Sequence, residues 1–198
     1  MNQKYCFIDT ETTGLDRKEH NVFQISAVIT DSKLKEIDQI NLRFKPHSCA
    51  RIDPGALEKT GLTIEEITGV EKTSLEAYNE LIEFLSKHVD RYNKNDKLYF
   101  VAYNAPFDAD MLREFFLKHD DQYFGSWFWN PPLCVMQLAG WTIAQGDTDE
   151  YNLRSKMSNF KLETLCQIAE LDWDDEKSHD ADYDNRMTIK LFKELRAA

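Results

Sequence analysis

No stretch of this 198-residue chain approaches the roughly 18 consecutive apolar residues that a membrane-spanning helix needs, so no transmembrane anchor is expected. The opening MNQKYCFIDT passes into a strand-like segment at once and leaves no room for the regions of a signal peptide. The expected location is therefore cytoplasmic. The four cysteines, Cys6, Cys49, Cys134 and Cys166, form no C-x-x-C pair, which suggests neither a zinc site nor a disulfide framework. Positive charge is also short, since 24 Lys and Arg stand against 35 Asp and Glu for a net charge of −11. That balance argues against a protein that coats duplex nucleic acid with a broad basic face, because phosphate neutralisation drives such binding. It leaves open an enzyme that holds a few nucleotides, because a carboxylate cluster can be a cation site and bound ions invert the local field. Repeats, low-complexity tracts and interdomain linkers are missing too.

What is present is an ordinary globular composition, 42% hydrophobic and 30% charged, with twelve Phe and eight Tyr as core material. At this length one domain spanning residues 1–198 is expected. Lys4 to Ile8 is a short apolar run of central-strand character, broken by the Thr-Thr-Gly of residues 12–14. Val22 to Thr30 and Leu34 to Phe44 read as two further strands with Asp31 and Ser32 in the turn, giving a three-stranded antiparallel opening. Short helical pieces are expected around Ala56 to Lys59 and Ile64 to Ile67. Thr73 and Glu76 form a capping-box signature ahead of Leu75, Tyr78, Leu81, Ile82, Leu85 and Val89 at helical spacing. Leu98 to Tyr103 reads as a buried strand, and Pro106 opens a helix that runs through about Lys118. Helices near Val135 to Ile143, Lys161 to Leu171 and Tyr183 to Arg196 complete a mixed α/β sheet flanked by helices. Residues 119–132 and 144–159 are read as loops. The rings of Tyr123 to Trp129 are read as packing over the sheet edge or in a subunit contact, with base stacking as the alternative.

Four acids sit where a purely structural role is awkward. Asp9 and Glu11 lie two apart at the end of the first strand, so both leave the same face, roughly 6.6 Å apart along the chain. Like charges so placed need a cation or a raised pKa, unless Glu11 already lies in the turn and points to water. Asp108 shares the apolar face of its helix with Met111, Leu112 and Phe115, and Asp184 shares one with Met187, Thr188, Leu191 and Leu195. An acid on such a stripe is costly unless it is paired or bound to metal, the alternative being a helix-N-terminal charge that favours the macrodipole. His179, five residues before Asp184, has the unperturbed pKa best suited to proton abstraction near neutral pH, if it is not simply a surface residue or a cap. Should the fold bring the acids together, they would suit a pair of hard divalent cations, Mg²⁺ or Mn²⁺.

The segments FIDTETTGLD, NAPFDADML and HDADYDNRMT resemble, in the same order, the three signature motifs of the DEDD exonucleases in their histidine subclass. That group includes the proofreading subunit of bacterial replicative DNA polymerase. IDPGALEKTGLT and FKLETLCQIAEL resemble the segments between the motifs. The resemblance implies a ribonuclease H-like fold of three antiparallel strands followed by parallel ones, and a 3′–5′ exonuclease that acts on single-stranded ends and releases 5′-mononucleotides, on DNA ahead of RNA. It implies that Asp9, Glu11, Asp108 and Asp184 bind two metal ions, that Asp9 bridges them, and that His179 is the general base. Thr12 and Leu15 would flank the 3′-terminal nucleotide, while Asn104 and Phe107 would help place the scissile end. A polymerase partner or a homodimer is compatible with the resemblance, although the chain stops at Ala198 without the tail that would tether a proofreading subunit. Two positions depart from the pattern: Gln24 stands where relatives often carry glutamate, and Thr60 where many carry histidine. Two other function classes remain in view, a catalytically idle domain that binds nucleic-acid ends or proteins, and a hydrolase of very short oligonucleotides.

Overall fold

The computed structural model of the chain describes residues 3–145 and 159–197. The polar loop expected over 144–159 lies, except at its ends, outside them. β1 (Tyr5–Thr12) pairs antiparallel with β2 (Val22–Thr30), and β2 pairs antiparallel with β3 (Glu36–Arg43). On its other side β1 pairs parallel with β4 (Tyr99–Ala102), which pairs parallel with β5 (Leu133–Cys134), giving the order β3-β2-β1-β4-β5. This is the mixed sheet expected from sequence. β1 runs four residues past its apolar stretch because Asp9 and Glu11 find backbone partners in Ser26 and Gln24. The alternative of Glu11 in a solvent-facing turn is thereby corrected. The two-residue β5 carries too little pattern to be read in advance.

The helices are α1 (Pro54–Thr60), α2 (Ile64–Thr68), α3 (Ser74–Ser86), α4 (Ala105–Lys118), α5 (Val135–Gln145), α6 (Leu162–Ile168) and α7 (Ala181–Ala197). The capping box read at α3 forms, with Thr73 and Glu76 each satisfying the other's backbone N–H. Thr63 and Glu66 do the same at α2, a signature of the same spacing.

The sheet is covered on both sides, which is why every residue of β2 is buried. On one face Cys6, Ile8, Ile25 and Leu42 pack with Leu81 and Leu85 of α3 and Leu112 and Phe116 of α4. On the other Tyr5, Phe7, Val28 and Val101 meet Val135 of α5, Leu165 of α6 and Leu191 and Phe192 of α7. The aromatic loop is largely core. Trp127 is fully buried, and its segment bridges to Leu98, whose N–H donates to the Trp127 carbonyl at 2.9 Å while its own carbonyl accepts from Trp129 at 2.9 Å. Packing at the sheet edge is thus the role of Phe124, Trp127 and Phe128, with Tyr123 left exposed. No helix among the described residues is long and apolar enough to cross a membrane.

One buried amide fastens α7 to the sheet. Asn185 is fully buried and its Nδ2 donates to the Phe7 carbonyl at 3.0 Å, the Ser26 carbonyl at 3.3 Å and the Ser26 hydroxyl at 3.1 Å. Asn185→Ala strands those acceptors in a dry interface, and urea denaturation is expected to show a loss of about 1–3 kcal/mol. An unchanged midpoint would mean that the amide does not hold the helix.

Candidate active site

The alternation of β1 continues from core to chemistry. Tyr5, Phe7, Asp9 and Glu11 share one face, and the first two pack beneath the body of α7. Where the strand reaches the first turn of that helix, the two acids replace the aromatic rings. Asp9, Glu11 and Asp184 each offer a carboxylate oxygen, and these oxygens lie within 4.8 Å of one another. Asp108 arrives from α4 on the other side of the sheet. It is 5% exposed, and its Oδ1 accepts from the Thr10 N–H at 3.1 Å and the Thr10 hydroxyl at 2.8 Å. Four acids separated by up to 175 positions, from Asp9 to Asp184, are thus gathered at one end of the sheet.

Asp108 and Asp184 both stand in the first turn of a helix, where backbone N–H groups lower their pKa, by an effect worth about 0.3–1 kcal/mol. Burial outweighs it, and both rise to about 7. Glu11 is pushed up to about 9 by burial and by the charges of Asp184 and Asp108. Asp9 is raised well above the carboxylate range by burial and by Asp108, Glu11 and Asp184. Relief is scant: among the described residues no donor hydrogen-bonds to the carboxylates of Asp9 or Glu11, and the buried Oδ1 of Asp184 has no partner. A crowded set of hard oxygens with few donors fits a divalent cation.

His179 sits at the rim, two residues before α7, with φ at +63°. Its backbone N–H donates to Oδ2 of Asp184 at 3.3 Å. Desolvation of the ring, aided by Lys59 and Lys161, holds its pKa below the ordinary histidine value, so the imidazole is neutral at pH 7. Leu15, 76% exposed, faces Phe107 and Asn104 across a cavity of about 280 Å³ that is also lined by Arg17, Pro106, Asp110 and Met111. Thr12 is buried and its hydroxyl donates to the Gly14 carbonyl at 2.9 Å, so its side chain shapes the turn that presents Leu15. Gly14 is required there, because a Cβ would lie 2.4 Å from the His20 ring. Sequence reasoning missed Asp180 and Arg43. Asp180 adds its charge to Asp9, Glu11 and Asp184, and Arg43 is the cation that draws the Glu11 pKa down. Only the HDADYD run, with three acids in six residues, signalled the first, and nothing local signalled the second.

A family model described as an exonuclease, RNase_T, matches residues 6–192. The chain belongs to the DEDD 3′–5′ exonuclease family. Among its relatives, ribonuclease T of Hahella chejuensis is 28% identical over 192 residues, covering 93% of this chain and 79% of that protein. Oligoribonuclease of Vibrio vulnificus is 29% identical over 96 residues, covering 46% of this chain and 52% of that one. In fold, this DEDD exonuclease is similar to Escherichia coli exonuclease I in a complex with single-stranded DNA, with a TM-score of 0.76, 21% identity and full coverage of the chain. It spans 41% of that structure's length. Of the two departures from the family pattern, Thr60 closes α1, its hydroxyl donating to the Leu57 carbonyl at 3.0 Å, and Gln24 lies buried beside the carboxylates.

The raised pKa values fix a sign for stability. Between the ordinary carboxylate range near pH 4 and about pH 9, the folded exonuclease binds more protons than the unfolded chain. Stability in chelator is therefore expected to fall as pH rises through that window. Glu11→Gln should raise the melting temperature in EDTA at pH 8, by about 2–4 °C for each kcal/mol recovered, and do little at pH 5. Scanning fluorimetry with equal shifts at both pH values would refute the crowding argument.

Proposed function

We propose that this chain removes nucleotides one at a time from single-stranded 3′ ends, with Asp9, Glu11, Asp108 and Asp184 as ligands for two divalent cations, Mg²⁺ or Mn²⁺. The observation that carries the reading is the carboxylate set itself, crowded, raised in pKa, and with a buried Asp184 oxygen that has no protein partner. When bound, such a cation pair supplies an activated water and positive charge for the departing 3′-oxygen.

The chain's own residues do the rest. His179, neutral at pH 7, accepts the proton of the attacking water as general base. Leu15 and Phe107 line one cavity, where the terminal base lies between them, and Asn104 of the same cavity offers its amide to the sugar or phosphate. Thr12 acts on the terminal nucleotide indirectly, by holding the turn that carries Leu15. The product is a 5′-mononucleotide. The reading covers ends of either sugar, with DNA expected ahead of RNA. A net charge of −11 favours short single strands over long duplexes, because few phosphates can be neutralised away from the site. The domain is read as one unit from residue 1 to 198. An idle binding domain has no physical use for four acids gathered at one point with raised pKa values.

Product analysis on matched 3′-labelled and 5′-labelled DNA and RNA strands with Mn²⁺ reports polarity, sugar and product together. Mononucleotides released stepwise from the 3′ end are expected, with Asp9→Ala reducing the rate by roughly 10³-fold or more. Turnover that survives Asp9→Ala, or products that begin at the 5′ end, would reject the assignment. Mn²⁺ is also expected to raise the melting temperature of the wild type at pH 8 and to leave that of Asp9→Ala unchanged.

A further inference from the structure

Three strands place a polar row beside the acids. Glu11 of β1 lies opposite Gln24 of β2, and Gln24 lies opposite Arg43 of β3, so their side chains stand side by side on the face that α7 covers. Gln24, 1% exposed, donates from Nε2 to Asn41 at 3.2 Å and to Oδ2 of Asp180 at 3.1 Å, and its Oε1 accepts from Arg43 at 3.1 Å. Arg43 donates from the same nitrogen to Oδ2 of Asp180 at 3.2 Å. Asp180 turns its other oxygen to the helix, where Oδ1 accepts from the N–H of Asp182 at 3.1 Å and of Tyr183 at 3.3 Å. Its carbonyl accepts from the N–H of Asp184 at 3.0 Å.

Asp180 is therefore both the N-terminal cap of α7 and the residue that pins that turn to β2 and β3. The pinned turn begins at His179. Among the described residues the His179 ring has no hydrogen-bond partner, so its place depends on its backbone, which is held at a left-handed φ of +63°. We infer that Gln24, Arg43 and Asp180 form a positioning unit that holds the His179 turn and Asp184 in register over Asp9 and Glu11. The identity of Gln24 follows from the unit. A glutamate at position 24 would bring a second carboxylate to the 3.1 Å contact with Asp180, and Arg43 would have to serve both. Neutral Gln24 instead donates to Asp180 while accepting from Arg43, which satisfies all three groups. The inference rests on the exonuclease reading for the role of His179, and on the hydrogen bonds alone for the coupling.

The test separates the two. Arg43→Met and Asp180→Asn are each expected to lower kcat on a single-stranded oligonucleotide by roughly tenfold or more with KM nearly unchanged, because a misplaced base costs rate rather than binding. Arg43→Lys should recover part of the loss. Gln24→Glu is expected to lower kcat too, because it sets a second carboxylate at the 3.1 Å contact with Asp180, and in the double variant Gln24→Glu with Asp180→Asn the losses should be non-additive, because both residues act through one network with Arg43. The ring signal of His179 in proton–carbon NMR of the metal-free protein, assigned with His179→Gln, should be single in the wild type and broadened or doubled in Arg43→Met. Additive losses in the double variant, or an unmoved His179 signal, would overturn the positioning role. A wild type without metal-dependent turnover whose His179 signal still responds to Arg43→Met would instead remove the exonuclease reading and leave the coupling standing.

Discussion

Repulsion among carboxylates that the fold refuses to separate is the constraint around which this molecule is built. Asp9, Glu11 and Asp184 converge to within 4.8 Å, and Asp108 presses on them from the other side of the sheet. In water such groups would part or draw in counterions. Here the backbone of β1 and the first turns of α4 and α7 hold them, and each pKa rises, first because the groups are buried and, for Asp9 and Glu11, also because the other acids stand so near. Such strain persists only where the rest of the structure over-determines it.

The over-determination comes from two apolar layers. The inward residues of β1 and β2 fill both faces of the sheet, and Phe7 and Phe192 meet edge to face with centroids 5.4 Å apart just below the acids. Asn185, next to Asp184, ties α7 to the backbone of β1 and β2. The helix cannot withdraw its carboxylate without tearing that bond set from a dry interface. A similar division operates on the opposite side, where Thr10 grips Asp108 and fixes it as an acceptor rather than leaving it free to turn away. Charge crowding is local, and the hydrophobic burial that sustains it is spread across the domain.

The same logic explains the loop that carries Leu15. Lys118 at the end of α4 donates to the carbonyls of Arg17 at 3.2 Å and His20 at 2.9 Å, and Arg17 pairs with Asp110. A leucine that is 76% exposed is thereby held at the edge of its cavity by bonds to a rigid helix. An exposed apolar side chain on a braced loop beside a charged cavity is an arrangement that suits stacking against a planar ligand.

Local chemistry in the sequence determined more of this than the distances between residues would suggest. The period-two alternation of β1 sent Asp9 and Glu11 to one face, the helical stripes marked Asp108 and Asp184 as misplaced acids, and Thr73 with Glu76 fixed where α3 begins, because each of these effects acts within a few residues along the chain. The order of the three motifs supplied the family. The full length of β1, the brief β5, the positive φ of His179 and the junction of Arg43 with Asp180 were settled only by tertiary structure. They depend on partners that stand 13 residues away for Glu11 and Gln24 and 137 for Arg43 and Asp180, and no pattern within one segment records which remote group will be opposite. Side-chain direction is local physics, whereas the company a side chain keeps is decided by how the sheet and its helices close.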